Sequence, residues 1–321
     1  MRDRWGREID YMRVSVTDRC NLRCRYCMPE GIRQVPVSEI LTLEETVQIC
    51  RIAAENGIRK IKVTGGEPLV RKDCVPFIGM LKQIPGIEQV TLTTNGVLLK
   101  EYAEPLLENG LYAVNISLDT LDRGKYREIT GTDALPAVEG AIRDMLRRGV
   151  PVKLNAVLEK GTGKADWKAL AEMTRETPLL VRFIEMMPLG YGKDRAGASG
   201  EEVKDWLETQ FGPMEPDKAR HGNGPAVYWK PQGFQGSIGF ISALHGKFCR
   251  SCNRLRLTAQ GELKSCLCYE AGVSLKEPLR RDDEAEVERR FREALWNKPE
   301  AHCFERPEEM TEKREMGKIG G

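Results

Sequence analysis

Long apolar stretches are lacking in this sequence of 321 residues. The longest uncharged run, residues 231–246, is interrupted by four glycines and two glutamines, so no segment is predicted to span a membrane. An apolar core is also missing from the first ten residues, MRDRWGREID, which argues against a secretory signal. We therefore expect a cytoplasmic protein with no membrane partner.

The sequence also lacks an excess of charge of either sign. Lys and Arg total 50 and Asp and Glu total 48, which gives a formal net charge of +2. This balance argues against a dedicated nucleic-acid-binding protein, although local basic clusters can still bind a small anion. A phosphate-binding loop of the GxxxxGKS or GxxxxGKT type is absent too.

Cysteine, in contrast, is plentiful and unevenly placed. Seven of the ten cysteines form two groups, one near each end of the chain: Cys20, Cys24 and Cys27, and Cys249, Cys252, Cys266 and Cys268. Disulfides are rare in the cytoplasm, where clustered cysteines more often bind metal or take part in catalysis. The cysteines that stand alone are expected to be structural, and these are Cys50, Cys74 and Cys303.

The first 187 residues alternate β-branched runs with amphipathic stretches. Six strands are predicted, near residues 12–17, 60–64, 89–93, 113–117, 152–158 and 179–185. Helices are predicted between them, at residues 42–57, 75–83, 99–109, 135–148 and 166–175. Six strand–helix units indicate a parallel sheet in an α/β fold, and they suit a partial (β/α)6 barrel that is short of the usual eight units. A doubly wound open sheet is the alternative fold.

The pattern changes after the sixth strand, and we predict a domain boundary there. Residues 1–187 are predicted to form the barrel, and residues 188–321 a C-terminal α+β region that closes it. This second region begins with a loop at 188–200 and contains predicted helices near 201–211 and 284–296. Between the two helices lie a Gly-rich segment, predicted to be a β-hairpin, and the second cysteine group.

Cys20, Cys24 and Cys27 form a CxxxCxxC motif. Cysteine thiolates hold iron–sulfur clusters, and a cubane cluster contains four irons, so three close cysteines leave one iron without a protein ligand. An open coordination site is typical of a catalytic metal and not of a structural one. A structural zinc site needs a fourth ligand and usually pairs its cysteines, so the spacing fits zinc poorly.

A second motif, CxxC followed by a third cysteine after thirteen residues, is formed by Cys249, Cys252 and Cys266. Spacing alone leaves two interpretations open, because Cys268 could complete a four-cysteine zinc site. With an iron–sulfur motif already in the chain, an auxiliary cluster with one open iron is favoured. Arg254 and Arg256 follow at alternate positions, so on a strand they would point the same way, as a pair suited to bind phosphate.

The first motif, with Tyr26 just before its last cysteine, resembles that of the radical S-adenosylmethionine (SAM) superfamily. The segment Thr64-Gly-Gly-Glu-Pro68 resembles the GGEP segment that binds SAM in the same superfamily. The resemblance implies a partial (β/α) barrel and a 4Fe–4S cluster whose open iron is chelated by the amino and carboxylate groups of SAM. An electron from the cluster then cleaves SAM and releases a 5′-deoxyadenosyl radical.

Further segments resemble the GTP 3′,8-cyclases, radical SAM lyases that catalyse the first step of molybdenum-cofactor biosynthesis. These segments are residues 13–20, 92–96, 182–187, 249–258 and the terminal Gly320-Gly321. The resemblance implies that GTP is converted to (8S)-3′,8-cyclo-7,8-dihydroguanosine 5′-triphosphate. It also implies two 4Fe–4S clusters facing each other across the barrel, with SAM on the N-terminal cluster and the guanine of GTP on the C-terminal one. The Gly-Gly tail is expected to reach into the active site.

Site residues follow from the same resemblance, position by position. The implied metal ligands are Cys20, Cys24 and Cys27 for the first cluster and Cys249, Cys252 and Cys266 for the second. The implied SAM contacts are Tyr26, Gly66, Ser117 and Met187. The implied GTP contacts are Arg13, Lys62, Thr93, Lys153, Arg254, Leu255 and Arg256. Arg254 and Arg256 are also the expected catalytic residues, because they can supply positive charge or a proton to the cyclised nucleotide.

The resemblance further implies three protein partners. These are an electron donor such as flavodoxin or ferredoxin, a downstream cyclic pyranopterin monophosphate synthase, and a second copy of the chain in a homodimer. Two other functions remain compatible with the motifs: a radical SAM enzyme that modifies a peptide, and a non-catalytic zinc-binding protein. A cyclase binds GTP, whereas a peptide-modifying enzyme does not. A zinc-binding protein would contain zinc and no iron.

Overall fold

A computed structural model describes residues 1–29 and 35–319 of the chain. The six predicted strands are confirmed, and they lie side by side in sequence order, each parallel to the next. They are β1 (Tyr11–Ser15), β2 (Lys60–Thr64), β3 (Gln89–Thr94), β4 (Ala113–Ser117), β5 (Val152–Leu158) and β6 (Leu180–Glu185). Because every connection between them returns to the same end of the sheet, all six carboxyl ends lie at one edge.

Helices connect these strands and cover one face of the sheet. They are α1 (Leu43–Glu55), α2 (Cys74–Lys82), α3 (Ala103–Glu108), α4 (Arg123–Thr130), α5 (Leu135–Arg147) and α6 (Lys164–Glu172). The start of α1 is capped as predicted, because the backbone N–H of Glu45 donates to Thr42 Oγ1 at 3.0 Å and that of Thr42 donates to Glu45 Oε2 at 2.8 Å. No helix within the described ranges is long and apolar enough to cross a membrane.

The C-terminal region extends the sheet at both edges. Its elements are α7 (Gly200–Phe211), β7 (Met214–Pro216), β8 (Val227–Pro231), β9 (Ser237–Ile241), β10 (Arg254–Leu257), β11 (Glu262–Lys264), β12 (Gly272–Ser274), α8 (Lys276–Leu279) and α9 (Glu284–Trp296). The predicted hairpin is confirmed as β8 and β9. Strand β9 pairs in parallel with β6, and β10 pairs in parallel with β1. The order is therefore β12-β11-β10-β1-β2-β3-β4-β5-β6-β9-β8-β7, and over the described residues the two edge strands do not pair. This sheet confirms a partial barrel.

The last described segment of the chain covers the side of the barrel between the two edges. Arg314 forms an ion pair with Glu262 on β11 at 2.5 Å. Ile319 packs with Leu189 and Ala243, which follow β6 and β9. These contacts agree with closure of the barrel by the C-terminal region, and the domain boundary at residue 187 stays a prediction.

Side chains of the parallel strands alternate between two environments. Met12 and Val14 on β1, like Ile61 on β2, are fully buried in the apolar core between sheet and helices. Arg13 and Lys62 occupy the alternate positions and point into the barrel. The interior of the barrel is therefore polar, which makes it a place for a ligand rather than a second apolar core.

Candidate active site

The first cysteine group lies in the loop after β1, at the carboxyl end of the parallel strands. The backbone N–H groups of Cys27 and Met28 donate to the carbonyl of Cys24 at 3.0 and 2.8 Å, and that of Leu22 donates to Cys20 Sγ at 3.4 Å. These turns bring the three thiols near one another. Burial, followed by the charge of Cys20, raises the pKa of Cys27 to about 12.

The donor set of this loop, three thiols and no other metal-binding side chain in the motif, fits a 4Fe–4S cluster. In a cubane cluster each cysteine binds a different iron, so the cluster itself holds the sulfurs apart. Three partly exposed thiols on one loop can therefore hold three irons and leave the fourth for a small molecule.

The residues predicted to contact SAM lie at the same end of the barrel. Tyr26 is in the cysteine loop, Gly66 follows β2, Ser117 ends β4 and Met187 follows β6. A Cβ at Gly66 would clash with the carbonyl oxygen of Arg19, so only glycine allows the segment after β2 to lie against the cysteine loop. The geometry brings these four residues together around the first cysteine group, and their contacts with SAM stay a prediction.

Two buried carboxyl groups hold these loops in place, Glu67 of the Gly-Gly-Glu-Pro segment and Asp119, which no motif singles out. Glu67 accepts from the backbone N–H of Asn95 at 2.6 Å and from Thr94 Oγ1 at 2.8 Å. Asp119 accepts from the hydroxyl of Tyr26 at 2.7 Å. Burial raises the pKa of Glu67 to about 7 and that of Asp119 to about 6. Asp119 comes two residues after the fourth predicted strand, and this position is the signal that could have identified it.

The second cysteine group lies at the opposite end of the barrel. Cys249 and Cys252 precede β10, which runs parallel to β1, and Cys266 follows β11, which runs antiparallel to β10. All three are therefore near the amino ends of the parallel strands. Burial raises the pKa of the Cys252 thiol, but Arg254 and Lys298 outweigh burial and lower this pKa to about 6. At neutral pH such a thiol is largely the thiolate, which is the form that binds metal.

Cys268 does not face the second cysteine group with its side chain. Its Sγ lies 2.6 Å from the Sγ of Cys303, in a small apolar cluster that also contains Ile319. Only its backbone reaches the group, where the N–H donates to the sulfur of Cys266. Of the two candidate ligands that spacing leaves open, Cys266 is the one beside Cys252.

Alanine in place of Cys266 is expected to remove the second cluster, whereas alanine in place of Cys268 is expected to leave it. The reason is that only the Cys266 sulfur lies with the sulfurs of the other two cysteines. Iron and acid-labile sulfide, measured after anaerobic reconstitution, should fall by about four atoms per chain in Cys266→Ala and stay constant in Cys268→Ala. The reverse result would assign the ligand to Cys268.

Between the two cysteine groups, the interior of the barrel is strongly basic. It is lined by Arg13 on β1, Lys62 on β2, Lys153 on β5, Arg182 on β6, and Arg254 and Arg256 on β10. Strand register sets Arg13 between Arg256 and Lys62. Burial, followed by Arg182 and its basic neighbours, lowers the pKa of Lys62 well below the usual value. Burial and Arg182 also lower the pKa of Lys153 to about 8. Such crowding of like charges is typical of a site completed by a polyanion.

Arg182 and Asn115 are interior residues that sequence analysis does not assign to a site. With its amide oxygen turned towards the cations, Asn115 accepts from Lys62 Nζ and from Arg182 Nη2, the latter at 3.1 Å. Both residues occupy inward positions of predicted strands. The alternation of inward and outward positions, applied to every strand, would have identified them.

Two predicted GTP contacts differ in character from the cations. The Oγ1 of Thr93 is buried and has no hydrogen-bond partner among the described residues, so it can serve a ligand. The side chain of Leu255 is fully buried in the apolar core, on the opposite face of β10 from Arg254 and Arg256. Any contact of Leu255 with a substrate must therefore use its backbone.

Comparison with known proteins gives the class to which this barrel belongs. The sequence pattern of the radical SAM superfamily matches residues 14–174, and that of the molybdenum cofactor synthesis C-terminal family matches residues 179–304. SuiB of Streptococcus suis bound to S-adenosylmethionine has a similar fold, with a TM-score of 0.65 and 15% identity over 97% of this chain and 77% of that one. The chain is thus a radical SAM protein, and the predicted fold is confirmed.

Relatives of full length narrow the class to one family. The chain is 40% identical to a GTP 3′,8-cyclase of Clostridium perfringens (strain 13 / Type A) over 100% of both chains. It is 44% identical, again over 100% of both, to GTP 3′,8-cyclases of Pelotomaculum thermopropionicum and Moorella thermoacetica. This chain belongs to the GTP 3′,8-cyclase family. The predicted family is confirmed, and as a radical SAM protein the chain has a 4Fe–4S cluster and SAM as cofactors.

Proposed function

We propose that this chain converts GTP to 3′,8-cyclo-7,8-dihydro-GTP and so begins the synthesis of the molybdenum cofactor. The observation that carries the proposal is the basic interior of the barrel, which lies between two cysteine groups at opposite ends. A nucleoside triphosphate is strongly anionic, and the cations that line this interior come from separate strands, as the lack of a phosphate loop requires. Sequence identity of 40% and 44% to GTP 3′,8-cyclases, over the full length of both chains, supports the same activity.

The residues of the chain divide the work between binding and orientation. Cys20, Cys24 and Cys27 would hold the first cluster, and the segment after β2 would hold SAM against it. When bound, the cluster and SAM supply the radical that removes hydrogen from the ribose of GTP. Lys62 and Lys153 would hold the triphosphate, and the closed side of the barrel would exclude water from the radical.

The second cysteine group would hold an auxiliary 4Fe–4S cluster whose open iron takes the guanine. The lowered pKa of Cys252 supports this role, because the thiol is deprotonated before iron arrives. Arg254 links the cluster to the substrate: its guanidinium donates to the sulfur of Cys252 and lies 5.0 Å from the ring centre of Phe248. Arg256 would place a second positive charge beside the base.

The tail of the chain is proposed to approach the substrate. Gly320 and Gly321 lie outside the described residues. Gly317, three residues before Gly320, is beside the first cysteine loop, where a Cβ would lie 2.7 Å from the Met28 side chain. Its backbone N–H also donates to the thiol of Cys27. This position supports a tail that ends near SAM.

The partners of the reaction are proposed on chemical grounds. An external one-electron donor, such as flavodoxin or ferredoxin, would reduce the first cluster through its partly exposed loop. A cyclic pyranopterin monophosphate synthase would consume the product. A cytoplasmic location, assembly as a homodimer and a division into two domains at residue 187 are parts of the same proposal.

The proposal is tested by anaerobic reconstitution followed by incubation with SAM, dithionite and GTP. We expect 5′-deoxyadenosine to form only when GTP is present, in equal amount to a cyclised guanosine triphosphate. ATP in place of GTP serves as the control, since it has the same triphosphate but a different base. Deoxyadenosine that forms at the same rate without GTP, with no cyclised product, would contradict the proposal.

A further inference from the structure

A buried ammonium group lies against the second cysteine group. Lys298 follows α9 and is only 3% exposed. Its Nζ donates to the backbone carbonyl of Arg254 at 2.9 Å and to the backbone carbonyl of Ser265. Arg254 is two residues after Cys252, and Ser265 immediately precedes Cys266. One ammonium group therefore joins the two halves of the second cysteine motif.

The charge of this ammonium is not balanced by a carboxylate. In the part of the chain that the structure describes, Lys298 forms no ion pair, whereas the fully buried Lys264 is paired with Glu312 at 2.5 Å. A cation removed from water is strongly destabilised unless a negative charge lies close to it. The groups that Lys298 does face are the sulfurs of Cys252 and Cys266, which are negatively charged when they are bound to iron.

Arg7 also binds the loop of the second cysteine group, but its charge is balanced by a carboxylate. Its guanidinium donates to the carbonyls of Cys249 and Pro299 at 2.9 and 2.7 Å, and its Nε is 2.6 Å from a carboxylate oxygen of the buried Asp3. The structural task of holding this loop is thus shared by two cations. Of these two cations, Lys298 is the one whose charge is left for a ligand of the cysteines to balance.

We infer that Lys298 is a positioning residue of the second iron–sulfur cluster, which spaces Cys252 and Cys266 and balances the negative charge of the thiolates bound to iron. The inference rests on the second cluster that is part of the proposed function. The reduction potential of a cluster depends on net charge and on hydrogen bonds near its sulfurs. A buried cation favours the more negative, reduced form of the cluster and so raises its potential.

Three substitutions separate charge from packing. Lys298→Met keeps the length of the side chain and removes the charge, whereas Lys298→Arg keeps the charge. Trp5→Phe is the matched control, because Trp5 Nε1 donates to the carbonyl of Lys298 at 3.0 Å. That substitution loosens the same segment and leaves the ammonium in place.

The experiment is carried out in full-length protein with the Cys24→Ala substitution, which is expected to lack the first cluster. Iron content, the release of iron to a chelator and a redox titration followed by electron paramagnetic resonance then report on the second cluster alone. If Cys24→Ala protein takes up no iron at all, the proposed second cluster is wrong. That result is distinct from a failure of the Lys298 inference, which concerns only the differences between variants that contain iron.

We expect Lys298→Met to lower the reduction potential of the cluster and to release iron about 10- to 100-fold faster, the range by which metal affinity falls when an outer-shell partner is lost at other metal sites. Lys298→Arg and Trp5→Phe should remain near the parent in potential. Complete loss of the cluster in Lys298→Met, with retention in Lys298→Arg and Trp5→Phe, supports the inference equally. Unchanged potential and iron release in Lys298→Met would overturn it, as would equal shifts in the Met and Arg variants.

Discussion

Replacing Cys24 by alanine is expected to abolish the reductive cleavage of SAM. The loop after β1 offers only three thiols, so loss of one leaves two irons of a cubane without a protein ligand. Cys24 is also central to the fold of the loop, because its carbonyl accepts from two backbone N–H groups, those of Cys27 and Met28. The substitution keeps that backbone and removes only the sulfur.

The measurement is 5′-deoxyadenosine formed with SAM, GTP and dithionite under anaerobic conditions. In Cys24→Ala it should fall to the level of the protein-free control, and iron should fall by about four atoms per chain. Cys74→Ala is the matched control: this thiol is buried on α2, apart from both cysteine groups, and its loss should leave cleavage intact. Cleavage that persists in Cys24→Ala would refute the assignment of the ligand.

The barrel strands can be predicted from sequence because local pattern and tertiary environment agree there. Each of β1 to β6 has apolar residues at the positions that face the helices, and most of the helices that follow begin at a capping side chain or end at a glycine. Helix α4 is not among the predicted helices. It is only eight residues long and mostly polar, with Tyr126, Ile129 and Thr130 buried on one side, so the segment lacks the length of a recognisable helix.

The pairing of the edge strands with β1 and β6 could not be predicted, because distant parts of the chain meet there. Strand β10 is four residues long and pairs with β1, so that Arg254 lies opposite Tyr11. Nothing in either short segment specifies a partner more than two hundred residues away. The same reason explains why spacing leaves Cys266 and Cys268 equivalent: Cys303, another distant residue, receives the side chain of Cys268.

The residues of the candidate site also fall into two kinds: those that a sequence motif identifies, and those that only contacts in the folded chain identify. The cysteines and the SAM-side residues are in short motifs whose spacing is itself the chemical signal. Lys298 belongs to no motif, and its role depends on a backbone contact with Arg254 that exists only in the folded chain. Arg182 lies between these two cases. It begins the recognisable segment 182–187, but only the folded chain shows that it lies beside the cations of neighbouring strands.

Arg256 provides the second prediction of large effect, because its loss should separate the two halves of the reaction. The residue is on β10, in register with Arg13 of β1, and shares its face of the strand with Arg254. It is therefore at the end of the barrel that holds the second cysteine group, away from the proposed SAM site. Alanine at this position should leave the first cluster and bound SAM unchanged while removing positive charge beside the nucleotide.

We accordingly expect Arg256→Ala to lower the rate of cyclised product by about 10²- to 10³-fold, the usual effect of removing one donor from a site of developing charge. Formation of 5′-deoxyadenosine should fall much less, so that the ratio of deoxyadenosine to product rises well above one. Arg256→Lys keeps a charge without the two-pronged geometry of a guanidinium and should give an intermediate ratio. If deoxyadenosine and product decline together in both variants, Arg256 acts on the first half of the reaction and is not specific to the nucleotide.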